Sequence, residues 1–333
     1  MIDKKQIKKK LSESRTPIVI IGPTASGKSG LAVMLAEELD GEIISLDSMQ
    51  VYKGMDIGTG KIPYAERKNI PHHLLDIIKP DSVFSAGEFQ RMAEKTAEEV
   101  WKKGKNVIIV GGTGLYLRAF LKGLYPTPAR SETIREKIID WENREGLESL
   151  HSVLKKADPG IEKIIKPSDR QRIYRALEIL MVTGKTPSGL RNESGFSEDR
   201  FRVIKIGLNF AARETLYAAI EKRVDAMFEE GWMEEVKNLA AAYPFTLHPF
   251  KAIGYREIFE YLNGRKSLQD TILLIKQKTR NYAKRQITWY KKEEDVKWFD
   301  AGMDKELVCK EVLQYISTYT NDEGEFHNGS RAD

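Results

Sequence analysis

A glycine-rich segment near the start of the chain, GPTASGKS at residues 22–29, follows four consecutive apolar residues. It matches G-x-x-x-x-G-K-[ST], the pattern of a phosphate-binding loop between a buried strand and a helix. Backbone N–H groups at the start of that helix bind the phosphate, the lysine adds a positive charge, and the hydroxyl can ligate Mg²⁺. We therefore predict a phosphate site here, with Ser29 as the candidate Mg²⁺ ligand. The predicted site residues are Gly22, Pro23, Thr24, Ala25, Ser26, Gly27, Lys28 and Ser29.

Strand and helix patterns alternate over the next hundred residues. Strands are predicted at 18–21, 42–48 and 106–114, and helices at 30–39 and 86–103. This alternation is typical of a parallel α/β sheet, in which ligands bind at the carboxyl ends of the strands. All three strands end in polar or glycine-bearing segments, so we expect these segments to meet at one edge of the sheet.

The pattern changes after residue 125, where several short helices are predicted with no strand between them. The breaks fall at Gly146, Pro159 and Pro167, and residues 188–200 are predicted to be a linker or mobile loop. We predict an α/β fold with a P-loop NTPase-like parallel sheet core, a helical insertion domain and C-terminal helices. The predicted divisions are 1–125 for the first part of the core, 126–200 for the insertion, 201–320 for the rest of the core with the C-terminal helices, and 321–333 for a frayed polar tail.

Composition excludes several classes of protein. The single cysteine, Cys309, rules out an internal disulfide and a cysteine-rich zinc site, which suits a reducing cytosol. The basic N-terminal segment lacks the apolar centre of a signal peptide, and no apolar run is long enough to span a membrane. We therefore expect a cytoplasmic protein without a membrane partner. The net charge of +5 is mild, so the positions of the charges matter more than their sum.

Three candidate residues each allow more than one interpretation. Asp47, at the end of the second predicted strand, could ligate Mg²⁺, act as a general base or cap a turn. Thr113 offers a hydroxyl within GGTG, which could approach a ligand closely or simply form a tight turn. Arg223 could be catalytic or solvated, and helical spacing alone favours a solvent-facing position.

Two basic segments are candidates for RNA binding. DRQRIYRAL places Arg172 and Arg175 next to Tyr174, and residues 275–292 hold seven Lys or Arg, no acidic residue and three aromatic residues. Basic residues among aromatics suit looped or single-stranded RNA, although a solvated helix face with core aromatics is the alternative. The adjacent histidines in PHHLLDI are expected to be structural or to contact substrate, because neighbouring side chains diverge and lack a carboxylate at ligand spacing.

Seven segments, in order along the chain, resemble the bacterial tRNA dimethylallyltransferases, also called tRNA isopentenyltransferases. The segments are GPTASGKS, DSMQVYKGMDIGTGK, PHHLLDI, GGTGLYLRAFLKGL, DRQRIYRALEI, KAIGYRE and TRNYAKRQITW. The resemblance runs from about Pro17 to Trp298. Two departures are GTGKI where the family usually shows GTAKP, and Ser29 where threonine is commoner. Neither departure removes a hydroxyl or a charge that the chemistry requires.

The resemblance implies transfer of the dimethylallyl group from dimethylallyl diphosphate to N6 of the adenosine immediately 3′ of the anticodon, with release of diphosphate. Because the departing diphosphate carries negative charge, we expect Mg²⁺ as cofactor. An adenine amine is a poor nucleophile, so a base should take its proton, and Asp47 is placed for that role. Lys28 should meet the charge on the diphosphate. The resemblance adds Thr24 and Arg223 as diphosphate contacts, against the spacing argument for Arg223.

The resemblance also implies that the partner is the anticodon stem-loop of tRNA and that the chain is a monomer. The tRNA contacts that it implies are Asp47, Ser48, Met49, Gln50, Thr113, Arg135, Gln171, Arg172, Ile173, Tyr174, Arg175, Lys251, Ala252, Ile253, Gly254, Tyr255 and Arg256. An adenylate isopentenyltransferase, a P-loop small-molecule kinase and a non-catalytic RNA-binding module are the alternatives. The helical insertion argues against the first, the basic aromatic helix against the second, and the presence of Lys28, Ser29 and Asp47 against the third.

Overall fold

A computed structural model describes residues 2–124, 127–128, 130–193, 199–200 and 202–321. The chain forms two compact units. The first comprises Met1–Leu121 and Phe201–Asp333, and the second is Lys122–Arg200. The predicted polar tail lies outside the described residues except for its first residue.

Six strands of the described chain form one parallel sheet in the order β3-β2-β4-β1-β5-β6. In this sheet Ile18 of the central strand lies beside Ile108 on one side and Ile204 on the other. The strands are β1 Ile18–Ile21, β2 Gly41–Leu46, β3 His72–His73, β4 Asn106–Gly111, β5 Ile204–Asn209 and β6 Val296–Asp300. The predicted parallel α/β sheet is therefore confirmed.

Helices cover both faces of the sheet, as buried parallel strands require. The helices are α1 Lys4–Glu13, α2 Lys28–Leu39, α3 Ala86–Lys102, α4 Gly114–Lys122, α5 Glu132–Glu145, α6 Leu147–Ala157, α7 Arg170–Thr183, α8 Pro187–Glu193, α9 Arg213–Glu229, α10 Trp232–Ala242, α11 Tyr255–Leu262, α12 Leu268–Tyr290 and α13 Lys305–Asn321. No described helix is long and apolar enough to cross a membrane.

The two faces of the sheet have separate apolar cores because successive side chains of a strand point in opposite directions. Ile18 and Ile20 of β1 belong to the cluster that α1, α2 and α13 complete. Val19 and Ile21 belong to the cluster that α3 and α4 complete. A third cluster, centred on Trp232, joins α9–α12 to the segment that follows β2.

The second unit is helical in its described part, with a small core of its own that includes Ile138, Leu154 and Ile173. One local prediction is wrong here: residues 187–193, which overlap the predicted linker, form α8. Pro187 starts this helix at a position where its missing N–H and fixed φ are no disadvantage. Residues 194–198 of the predicted linker lie outside the described residues.

Candidate active site

The phosphate-binding loop lies at the carboxyl end of β1 and leads directly into α2. Gly27 adopts a left-handed conformation with φ of 77°, and the helix begins at Lys28. Gly22 allows β5 to approach, because a Cβ at this position would lie 2.2 Å from the Leu208 carbonyl oxygen. The local pattern therefore has the strand, turn and helix that phosphate binding requires.

Internal hydrogen bonds fix the shape of this loop. Ser26 Oγ donates to the Pro23 carbonyl oxygen at 2.9 Å, and Lys28 Nζ donates to the same oxygen at 2.6 Å. The Thr24 N–H donates to Gln286 Oε1 at 2.9 Å, and Gln286 Nε2 donates to the Gly112 carbonyl oxygen at 3.1 Å. Gln286 thereby joins the loop to the end of β4.

Asp47 follows β2 directly and lies on the same edge of the sheet. Its Oδ1 accepts the N–H groups of Met49 at 2.8 Å and Gln50 at 3.3 Å. The adjacent Ser48 N–H donates to Thr113 Oγ1 at 3.2 Å, which joins the ends of β2 and β4. One oxygen of Asp47 therefore shapes the turn, as the capping alternative suggested, and this role leaves its second oxygen for chemistry.

Asp47, Lys28 and Arg223 form an electrostatically coupled group. Burial raises the pKa of Asp47, while hydrogen bonds from Met49 and Gln50 and the charges of Lys28 and Arg223 oppose that rise. Burial, with the charge of Arg223, lowers the pKa of Lys28 to about 7. Burial also lowers the pKa of Arg223, against the charges of Asp47 and Glu230. Two cations and one carboxylate thus share a partly desolvated space beside the phosphate-binding loop.

Arg223 is not the solvent-facing arginine that helical spacing suggested. It is half-buried on α9, and its guanidinium lies against the backbone of Gly60, where an added Cβ would fall 1.7 Å from Nη2. The segment at residues 56–60, which covers this part of α9, comes from a distant part of the sequence. Helical periodicity cannot anticipate such a cover, because it assumes that solvent lies beyond the outer face.

Aromatic rings from α4 and α12 surround the same edge. The pKa values of the Tyr116, Tyr282 and Tyr290 hydroxyls are raised, first by burial and further by the charge of Asp47. Tyr282, Gln286 and Tyr290 follow one another at i, i+4 and i+8, so they share one face of α12. That spacing is the sequence signal that could have identified Gln286 as a site residue.

Much of the basic charge on α12 is paired within the protein. Lys276 bonds to Asp225, Lys278 to Glu257 and Arg280 to Glu221. For these three cations, and for the buried Tyr290, the alternative of a solvated face with core aromatics describes the helix better than direct RNA contact. Lys284 and Arg285 are exposed.

In the helical unit, the predicted tRNA contacts separate into buried and exposed side chains. Ile173 is fully buried, and Tyr174 is buried with its hydroxyl donating to Glu142. Arg175 donates to the fully buried Glu178 and to the Pro128 carbonyl oxygen, both at 2.7 Å. These three side chains thus stabilise the unit.

Other predicted contacts of this unit have different surroundings. Gln171 and Arg172 are exposed, and the Arg172 side chain retains 59% of its accessible surface. Arg135 Nε is buried without a hydrogen-bond partner within the described residues. We therefore expect RNA contact from this part of α7 to come first from Gln171 and Arg172.

The KAIGYR segment also contains both kinds of side chain. Tyr255 is fully buried and its hydroxyl donates to Glu235 Oε1 at 2.7 Å. Gly254 packs against the indole of Trp232, whereas Lys251 and Arg256 are exposed. Ala252 and Ile253 are half-buried. Direct contact with a nucleic acid is therefore expected from Lys251 and Arg256. Tyr255 stabilises the segment from the protein interior.

The described residues contain no group of three or more His, Cys, Asp or Glu side chains that could hold a metal ion. The two adjacent histidines have structural partners: His72 Nδ1 lies 2.8 Å from the Ile70 carbonyl oxygen, and His73 Nε2 lies 2.8 Å from Glu42 Oε2. Mg²⁺ at a phosphate site usually keeps several waters and takes one or two protein oxygens besides phosphate oxygens. Ser29, half-buried in the first turn of α2, fits that requirement.

Comparison with known proteins identifies close relatives. A family model described as "IPP transferase" matches residues 50–293. A tRNA dimethylallyltransferase of Geobacter metallireducens is 46% identical over 91% of this chain and 98% of the relative, and one of Thermoanaerobacter sp. is 44% identical over the same shares.

Solved structures agree with this result. The full-length tRNA isopentenylpyrophosphate transferase of Bacillus halodurans is 38% identical, with a TM-score of 0.70 over 93% of this chain and 98% of that one. A eukaryotic dimethylallyltransferase acting on tRNA is 30% identical, with a TM-score of 0.80 over 95% of this chain and 81% of that one.

Proposed function

The chain belongs to the IPP transferase family, and on this premise we propose that it transfers the dimethylallyl group of dimethylallyl diphosphate to tRNA. The acceptor is N6 of the adenosine immediately 3′ of the anticodon. The observation that carries the proposal is the coupled group of Asp47, Lys28 and Arg223 beside the phosphate-binding loop. One base and two cations suit the transfer of an allyl group from diphosphate to a weakly nucleophilic amine.

Asp47 is the general base in this proposal. As the bond between N6 and C1 of the dimethylallyl group forms, the N6 proton passes to the carboxylate. The turn supports this role because the N–H groups of Met49 and Gln50 donate to Oδ1, which leaves Oδ2 to accept the proton. The raised pKa of Asp47 makes it a better proton acceptor than an ordinary surface carboxylate.

The leaving group is diphosphate, which takes the electron pair of the breaking C1–O bond. In this proposal Lys28, Arg223 and the N–H groups at the start of α2 stabilise this charge, and the charge interaction of both side chains with Asp47 supports their assignment to one site. Thr24 belongs to the same loop and completes the proposed donor site. Because Gln286 occupies the Thr24 N–H, the contribution of Thr24 to diphosphate binding comes from its hydroxyl.

Mg²⁺ is part of the proposal. Ser29 would hold it together with oxygens of the diphosphate, and the bound ion would supply further positive charge to the leaving group. The chain's own cations bind and orient the diphosphate, and the base acts on the acceptor.

The helical unit is proposed to bind the anticodon stem-loop through exposed polar side chains such as Gln171 and Arg172. Chemistry on N6 requires that the adenine leave its stack, so the stem must be held while the base enters the site. A monomeric chain acting in the cytoplasm completes the proposal.

The direct test supplies dimethylallyl diphosphate labelled in its allyl carbons to the purified chain with Mg²⁺. Parallel reactions contain unmodified tRNA, AMP or ATP as acceptor. We expect label in tRNA alone, at the adenosine 3′ of the anticodon. Label in AMP or ATP would instead indicate an adenylate isopentenyltransferase. Phosphate transfer from ATP to a small molecule without prenylation would indicate a kinase, and tRNA binding without transfer would indicate a non-catalytic module.

A further inference from the structure

Glu235, which has no place in the reaction described above, accepts four hydrogen bonds near the site. Its Oε2 accepts the N–H groups of Asp56 at 2.9 Å and Ile57 at 2.6 Å. Its Oε1 accepts the Gly58 N–H at 3.1 Å and the Tyr255 hydroxyl at 2.7 Å. Three consecutive backbone donors therefore converge on one carboxylate. Consecutive backbone N–H groups often bind an anion in this way, and here the anion is the Glu235 carboxylate.

The segment that Glu235 holds, residues 56–60, forms part of the wall around Arg223. We call this segment the 56–60 loop. The guanidinium of Arg223 lies against Gly60 at the end of the loop. The carbonyl oxygens of Thr59 and Gly60 accept hydrogen bonds from Gln50 Nε2, at 3.2 and 3.3 Å. The loop therefore contacts Arg223, which is proposed to bind diphosphate, and also contacts the turn that Asp47 shapes.

A second anchor fixes the far end of the loop without reaching Arg223. Lys61 is buried, and its Nζ donates to the Tyr52 carbonyl oxygen at 2.6 Å, to Asp56 Oδ1 at 2.7 Å and to Asp76. The loop is thus fixed at its start by Glu235 and at its end by Lys61. Because both anchors have definite partners, the position of Gly60 between them is well determined.

We infer that Glu235 is a positioning residue for prenyl transfer: it holds the 56–60 loop so that Arg223 stays aligned with the leaving diphosphate. The inference rests on the proposed function and deepens it. Glu235 contacts the loop through three consecutive backbone N–H groups, so its influence on Arg223 passes through the loop backbone. A carboxylate is required because one oxygen must accept two N–H groups and the other a third N–H and a hydroxyl. The amide of glutamine would turn its NH₂ group toward donors.

The test substitutes Glu235→Gln in the full chain and measures single-turnover transfer, donor affinity and tRNA affinity. We expect the rate constant to fall about 10- to 100-fold, since small displacements of a charge-stabilising group have effects of that size. The dissociation constant of unmodified tRNA should stay within about threefold. The matched control is Glu234→Gln on the same turn of α10, because the Glu234 side chain is 63% exposed and pairs across the helix surface with Lys237. This control should behave as wild type.

A double-mutant cycle with Arg223→Ala tests whether Glu235 acts by positioning Arg223 or by stabilising the protein independently of it. If Glu235 acts through Arg223, the double variant should transfer no more slowly than Arg223→Ala alone, within about twofold. The inference would be overturned if the double variant lost rate by the product of the two single losses. A wild-type rate in Glu235→Gln would overturn it too. Should Glu235→Gln fail to fold, Tyr255→Phe removes one of the four donors and keeps the carboxylate, and it should show the same non-additivity at smaller amplitude.

Failure of the inference and failure of the proposed function remain distinguishable. A wild-type chain that does not prenylate tRNA contradicts the proposed function whatever the variants do. An active wild type with an unaffected Glu235→Gln contradicts the role of Glu235 alone.

Discussion

The Thr24 N–H in the phosphate-binding loop donates to Gln286 Oε1 at 2.9 Å, although 262 residues of sequence separate the two residues. The same side chain donates to the Gly112 carbonyl oxygen at 3.1 Å. Gln286 is buried, so neither bond has water as a ready substitute. The phosphate-binding loop and the segment that follows β4 therefore share one support.

Gln286→Met should weaken donor binding. Methionine keeps the length of the side chain and removes both hydrogen bonds, each worth about 1 kcal/mol. We expect the dissociation constant of dimethylallyl diphosphate to rise by up to about 30-fold, the equivalent of both bonds, with tRNA affinity changed by less than about twofold. The measurement is equilibrium binding of each substrate. Thr288→Ala on the exposed side of the same helix is the control, and an equal loss in both variants would contradict the assignment.

Asp47→Ala should abolish prenyl transfer. Loss of a general base typically lowers the rate about 10²–10⁴-fold. Affinity for tRNA should stay within a few-fold because the cations proposed to contact tRNA lie outside this turn. Single-turnover transfer and filter binding measure the two effects separately. Near-normal transfer by this variant would remove Asp47 from the role of base.

Lys28→Ala and Arg223→Ala should each lower turnover about 100-fold or more. Both remove positive charge from the leaving diphosphate, and preorganised charge stabilisers usually contribute effects of this size. Lys222→Ala is a suitable control, since Lys222 is exposed beside Arg223 on α9. A variant that weakens only tRNA binding would place its residue outside the donor site.

Prenyl transfer should weaken at both low and high pH, for a different reason at each end. Asp47 must be deprotonated to act as a base, so the single-turnover rate falls as pH decreases through its raised pKa. Lys28 must be protonated to meet diphosphate, so donor affinity falls as pH rises above its pKa of about 7. Rate and affinity measured across pH 4–10, an interval of about three units on either side of that pKa, separate the two effects. Lys28→Met should lack the loss at high pH, and a loss that persists there belongs to another group.

Arg172 and Arg175 should respond differently to alanine substitution. Arg172→Ala should weaken tRNA binding and make the log–log salt dependence shallower by about 0.7–0.9, the effect of one phosphate contact. Arg175→Ala leaves the fully buried Glu178 without its cation and should lower the free energy of unfolding by about 2 kcal/mol.

Filter binding over a range of KCl and thermal unfolding of the full chain measure these two effects. A salt slope unchanged in Arg172→Ala would mean that this arginine does not contact a phosphate. An unchanged stability of Arg175→Ala would show that its pairing with Glu178 contributes little.

The sequence predicted those features that local patterns encode. The phosphate-binding loop, the strand before Asp47 and the helical character of the insertion each depend on residues near one another in the chain. The bonds from residues 56–58 to Glu235 and from Thr24 to Gln286 join segments far apart, and no local pattern reports them. The two-residue strand β3 is too short to show a period. Helical spacing wrongly predicts that Arg223 faces solvent, because the residues that cover it belong to the 56–60 loop.

The interruption of the sheet by the helical unit has a consequence for synthesis. The central strand β1 pairs with β4 on one side and with β5 on the other, and about 80 residues of the second unit separate those partners in the chain. While these residues are being translated, at about 5–20 per second, β1 has one unpaired edge for roughly 4–16 seconds. The strand is IVII, an apolar segment that pairs readily with other exposed strands. Nascent chains are therefore most vulnerable to association with one another during translation of the helical unit, before the residues of β5 leave the ribosome.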